Sequence, residues 1–117
     1  LSVGGTFGEP ENLGPAVNSK FREFDPYVAP DGSYLVFASN RPGGHGSSDL
    51  YVSFLGPDGS WTPARNMGPG VNSDTPDFTP MLTPDGRYLF FTSSREGASD
   101  LYWVAQQVIE EMRPNAS

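Results

Sequence analysis

Cysteine is absent from this 117-residue chain, and histidine occurs once, at His45. Without thiols neither a disulfide nor a thiolate metal site can form. A single histidine supplies neither a His-rich metal site nor a His pair. Basic residues are scarce, seven Lys and Arg against fourteen Asp and Glu, for a formal net charge of −7. That balance argues against nucleic acid or anionic lipid as the main partner. No apolar run is long enough to span a bilayer, so membrane insertion is not expected. The chain opens on Leu1 rather than Met and shows no signal peptide, as expected of a processed or trimmed chain. What is plentiful is Gly, Pro and aromatic residues, a mixture that suits short strands joined by tight turns. The length allows one small domain.

The richest stretch is Phe78–Ala105, built around Pro84-Asp85-Gly86. Proline pre-sets φ in such a turn, Asp bonds its own backbone, and Gly takes positive φ at little cost. Strand-forming residues flank the turn on both sides, and a second break at Glu96–Ser99 leads to Leu101–Ala105, giving a three-stranded meander. The same pattern is written twice. A shift of 54 residues lays Phe24–Gly43 on Phe78–Gly97, with Pro30-Asp31-Gly32 on Pro84-Asp85-Gly86 and Arg41 on Arg95. Upstream, Asn12-Leu13-Gly14-Pro15 falls on Asn66-Met67-Gly68-Pro69, and Val17-Asn18-Ser19 on Val71-Asn72-Ser73. After Gly43 the first copy carries three extra residues, so Ser48-Asp49-Leu50-Tyr51 meets Ser99-Asp100-Leu101-Tyr102. A repeat of this period points to a solenoid, propeller or array.

Taken in order, the expected strands are Phe7–Leu13, Phe24–Ala29, Ser33–Asn40, Asp49–Leu55, Trp61–Met67, Phe78–Thr83, Tyr88–Ser94 and Leu101–Ala105. With the meander labelled A, B, C and the Trp-containing strand D, the chain reads D-ABC-D-ABC. The predicted fold class is all-β: two four-stranded antiparallel blades in one unit covering residues 1–117, with repeats at 7–54 and 61–105 and a tail from 106 to 117. In the tail, Val104, Val108, Ile109 and Met112 share one helical face, and Pro114 stops the helix. Two blades cannot close a propeller ring, which takes about four to eight. A single copy would expose an edge strand on each side. Head-to-tail homo-oligomerisation, with a trimer giving six blades, or membership of a longer propeller is therefore expected.

YVAPDGSYLVFASNRPGGHGSSDLYVSF and FTPMLTPDGRYLFFTSSREGASDLYWVA resemble the PD40, or TolB-like (WD40-like), β-propeller repeat, with Pro-Asp-Gly between its first strands, an aromatic run ending in Ser-x-Arg, and Asp-Leu-Tyr opening the third. The connector WTPARNMGPGVNS looks like that of bacterial PD40 proteins found beside OmpA-like domains. The resemblance implies a propeller scaffold and a periplasmic or extracellular place. Members include periplasmic proteins that bind peptidoglycan-associated lipoproteins and propeller domains that gate peptidases. Family propellers carry five to seven repeats in a chain, against two here.

For chemistry the residues offer little. His45 sits in a Gly-rich loop without a Gly-x-Ser-x-Gly elbow or a phosphate-loop Lys, so it reads as a solvated loop residue and no catalytic residue is expected. Asp49 and Asp100 open matching strands and should pin turns, with Arg41 and Arg95 as their partners. Acidic neighbours at Ca²⁺-loop spacing are missing, so no metal and no cofactor is expected. Two sets invite ligand-binding readings. Asn18, Ser19, Glu23, Asn72, Ser73 and Asp77 should face the central channel, where propellers commonly bind ligands, although turn capping is the favoured account of the Asn-Ser pairs. Repeated Glu23 and Asp77 would give an acidic ring. Trp61, Tyr51, Tyr102 and Trp103 are candidates for stacking on sugars, against the ordinary packing of strand aromatics between blades. The expected function is a non-catalytic binding module for a protein or peptide at a propeller face. A carbohydrate-binding oligomer is the alternative, and a piece of a larger hydrolase's propeller the second.

Overall fold

The turns come first, because they set the registers. In Pro30-Asp31-Gly32 the glycine takes φ 76°, and Asp31 Oδ1 accepts the Ser33 N–H at 2.9 Å and its hydroxyl at 2.7 Å. Asp58 does the same for Ser60, and Asp85 accepts the Thr83 hydroxyl at 2.6 Å. These bonds hold all three carboxyls below the ordinary Asp value: the Ser33 hydroxyl leads at Asp31, the Ser60 N–H at Asp58 and the Thr83 hydroxyl at Asp85.

In the computed structural model, which describes residues 12–44 and 48–114, the turns connect seven strands and one helical turn. The strands are β1 (Glu23–Val28), β2 (Tyr34–Ser39), β3 (Asp49–Phe54), β4 (Arg65–Asn66), β5 (Asp77–Leu82), β6 (Tyr88–Ser93) and β7 (Asp100–Ala105), followed by α1 (Gln107–Glu110). They make two antiparallel sheets, β1-β2-β3-β4 and β5-β6-β7. The protein is all-β apart from α1. The two meanders carry the same registers: Val36 faces Val52 and Ala38 faces Leu50, as Phe90 faces Trp103 and Thr92 faces Leu101.

Two of the expected strands differ. Trp61–Met67 reduces to Arg65–Asn66 plus a single bridge from Trp61 to Leu55, because Pro63 has no N–H to give the ladder. Of Phe7–Leu13, residues 7–11 lie outside the described residues, and Asn12 and Leu13 are not in a strand. His45 also lies outside them. The tail helix is shorter than its apolar spacing suggests: Val104 belongs to β7, and α1 is one turn.

Alternation along β2 divides the core. Tyr34, Val36 and Ala38 point to one side, where they join Leu50, Val52 and Phe54 of β3 and meet Leu82, Leu89 and Phe91 of the second sheet. Met67 and Val71 from the connection, and Ile109 from α1, complete this cluster. Leu35 and Phe37 point the other way into a smaller cluster with Val17 and Tyr51, against which Leu13, Trp61 and Ala64 pack. The second sheet therefore lies on the first through its Leu89–Phe91 face, with Asp77 N–H bonded to Ser48 O at 3.0 Å and the Tyr27 hydroxyl to Leu82 O at 3.3 Å. Its opposite face carries Tyr88, Phe90, Thr92, Leu101 and Trp103, and nothing described covers it.

Candidate functional site

The six polar candidates fall into two matched networks, and each network is engaged. Glu23 accepts the Ser19 N–H at 3.2 Å and the Ser19 hydroxyl, and pairs with Arg41 at 3.2 Å. Asp77, with its side chain fully buried, accepts the Ser73 N–H at 2.7 Å and pairs with Arg95 at 3.4 Å. Each arginine also bonds the connector carbonyl, Arg41 to Val17 O at 2.6 Å and Arg95 to Val71 O at 2.5 Å. Each guanidinium lies over two rings, Arg41 over Phe37 and Tyr51, Arg95 over Phe91 and Tyr102. The expected Arg41–Asp49 and Arg95–Asp100 pairs are thus corrected to Arg41–Glu23 and Arg95–Asp77. The ladder explains it: Glu23 stands opposite Ser39 and Asp77 opposite Ser93, two residues before each arginine. Glu23 and Asp77 are bound up in ion pairs that tie strand B to the start of strand A. An acid eighteen residues ahead of an arginine in both repeats was the signal for this pairing.

Asn72 does something the capping reading missed. It is buried, its Oδ1 accepts the Leu50 N–H at 2.7 Å, and its Nδ2 donates to Leu50 O at 3.0 Å and to Asn66 Oδ1 at 2.9 Å. Asn66 in turn accepts the Gly68 N–H at 2.8 Å and donates to Asp49 at 3.0 Å. Together with Met67 N–H on Leu50 O at 3.0 Å, this hook grips the outer edge of β3 where the short β4 runs out. A Cβ on Gly44 would collide with the Asp49 carboxylate, so a larger residue there would have to displace it.

The matching edge in the second sheet differs. Leu101 occupies the register position of Leu50, yet it is 74% exposed where Leu50 is 0%. Trp103 is 59% exposed where its counterpart Val52 is 0%. Because Leu50 turns its N–H and C=O away from β2, Leu101 in the same register turns its own away from β6. Among the described residues no strand lies beyond β7. Of the aromatic candidates, Tyr51 is buried, Trp61 and Tyr102 are half-buried, and Trp103 is exposed in an edge-to-face pair with Tyr88, ring centroids 5.3 Å apart. The Tyr102 hydroxyl donates to Glu96 Oε1 at 2.6 Å, and that carboxylate pushes its pKa up to about 12, so the phenol is a fixed donor at neutral pH.

A second repeated feature borders this face. Asp25 and Thr79 both take positive φ, 51° and 49°, at the bulges of β1 and β5. Each precedes a proline that cannot serve the ladder, Pro26 or Pro80. Such backbone persists only where its surroundings over-determine it, and here Asp25 Oδ2 accepts the Thr79 N–H at 3.2 Å across the two sheets. An open hollow of about 410 Å³ extends from these bulges to Met81, Thr92 and Leu101, so it is continuous with the uncovered face. The hollow between the Pro-Asp-Gly turns contains Asp31 and Glu110, but Ser33 and Arg113 already hold them. Among the described residues no three His, Asp, Glu or Cys side chains come together as a metal-holding group, and no helix is long and apolar enough to cross a membrane.

No family model matches the chain, and no curated protein matches it.

Proposed function

We propose that the chain is a non-catalytic binding module, two blades of a PD40-type propeller, that holds a protein partner by taking an extended segment onto the edge of β7. The observation that carries this reading is the contrast between twins. The edge of β3 is occupied by β4 and the Asn72 hook, while beside the edge of β7, in the same register, no strand lies among the described residues, and its face is apolar. A row of unpaired N–H and C=O groups is a template for strand addition, with main-chain bonds giving affinity and side-chain pockets giving specificity. Leu101, Trp103 and the hollow beside them supply those pockets. The resemblance of the repeats supports a periplasmic or extracellular setting for such a module.

The test is a labelled peptide spanning residues 60–72, the segment that covers β3, titrated against the chain by fluorescence anisotropy. Saturable binding is expected, weakened at least about tenfold (~1.4 kcal/mol) when alanine replaces the peptide residues matching Asn66 and Asn72. No binding at roughly millimolar peptide would overturn the proposal.

One observation favours a carbohydrate instead: Trp103 and Tyr88 form an exposed aromatic pair of the kind that stacks on sugar faces. Their counterparts Val52 and Tyr34 are covered by a neighbouring sheet, which favours the protein reading. A glycan screen in which Trp103→Ala abolished a hit would reverse that order.

A further inference from the structure

Resting on the reading of β7 as a strand-capturing edge, we infer that its occupant is residues 12–18 of a second copy of this chain, docked head to tail. The hook that would do it is already built. Asn12 Oδ1 accepts the Gly14 N–H at 2.7 Å and the Asn18 Nδ2 at 3.0 Å. These are the bonds that Asn66 makes with Gly68 and Asn72, at 2.8 and 2.9 Å. In the second hook, Asn72 Oδ1 is filled by the Leu50 N–H. In the first, Asn18 Oδ1 meets no donor among the described residues. One molecule thus carries an idle hook and, in Leu101, an idle copy of what the hook grips.

The apolar parts match as well. In the chain, Met67 and Val71 share the main buried cluster with Leu50 and Val52. Leu13 and Val17 occupy the same positions of the first hook, and Leu101 and Trp103 occupy those of Leu50 and Val52. The hook at residues 12–18 packs behind the first sheet, with Leu35 and Phe37, whereas the open face of β7 looks away from the first sheet. Within one chain the two therefore sit on opposite sides. Between chains they form a heterologous contact that repeats the packing of the second sheet on the first, and repetition of one such operation closes a ring or grows a filament. Three copies supply six blades, within the range at which propellers close.

The experiment is absolute mass by size-exclusion chromatography with light scattering, on the chain at roughly 100 μM, a concentration that populates micromolar contacts. Two variants accompany it, Asn18→Ala, which disables the hook, and Leu101→Lys, which places a charge on an already exposed position of the face; circular dichroism checks their fold. The expected result is an assembly of three times the 12.6 kDa chain mass, with each folded variant alone reduced to a monomer. Mixed in equal amounts, the variants should form a dimer and stop, because only the hook of the Leu101→Lys chain and the edge of the Asn18→Ala chain remain usable. A monomeric parent chain, or variants that assemble as the parent does, would overturn the inference. If the parent is monomeric but the peptide of residues 60–72 still binds, self-docking falls and the strand-capturing reading stands. If neither occurs, both fall.

Discussion

Replacing Asn72 with alanine is expected to cost the fold roughly 2–4 kcal/mol, whereas the same change at Asn18, in chain dilute enough to be monomeric, should cost no more than about 0.5 kcal/mol. The residue type, the local motif and the bond to the partner asparagine are alike at the two sites. Only the occupancy of the hook differs. At Asn72 the substitution strips the partner from the Leu50 N–H, takes one donor from Leu50 O, and leaves Asn66 Oδ1 with the Gly68 N–H alone. A buried group left without its partner costs about 1–3 kcal/mol, roughly twice the net worth of a typical hydrogen bond. Urea unfolding of the two variants, compared at equal slope, reads the difference directly. Equal costs at the two positions would mean that the Asn72 bonds to β3 contribute nothing beyond those within the connector.

The second large effect compares the leucines that the hooks address. Leu50→Ala should cost about 2–5 kcal/mol, the range for deleting a fully buried leucine with partial collapse of the cavity. Leu50 is fully buried, faces Ala38 across its own sheet, and shares the main cluster with the connector residues Met67 and Val71. Leu101→Ala in the dilute chain should fall within about 0.5 kcal/mol of the parent, because its side chain already faces water. Thermal unfolding of both variants checks the pair. A cost at Leu101 close to that at Leu50 would mean that the β7 face is covered within the single chain, and the open-edge account would fail.

Most of the sheet architecture was legible because the repeat spells its turns twice. Pro30-Asp31-Gly32 and Pro84-Asp85-Gly86 fixed where each meander reverses, and the six long strands begin and end within a residue or two of the runs read from aromatic and β-branched content. Two failures have physical causes that composition hides. Trp61–Met67 has a strand's residues but contains Pro63, so it bridges at Trp61, loses the ladder and rejoins it only at Arg65–Asn66. The arginine partners were read from closeness in sequence, across the loop after Arg41, when the antiparallel ladder brings Glu23 and Asp77 nearer in space. The candidate site was less legible still. Asn18 and Asn72 look identical as letters, and so do Leu50 and Leu101. What separates them is whether a sheet lies alongside, a tertiary fact that periodicity cannot carry. The bulges at Asp25 and Thr79 could have been found from the prolines that follow them inside two strands.

The central claim is that the β7 edge is open in the single chain and is the surface by which it binds. Amide hydrogen exchange at Leu50 and Leu101 tests it most directly, since both amides point outward from matching strands and, among the described residues, only that of Leu50 has a partner. In dilute chain, Leu50 N–H should be protected and Leu101 N–H should exchange freely. Raising the chain concentration, or adding the peptide of residues 60–72, should slow Leu101 at least about tenfold and leave Leu50 unchanged. A Leu101 amide that exchanges at its free rate under all three conditions would contradict the claim.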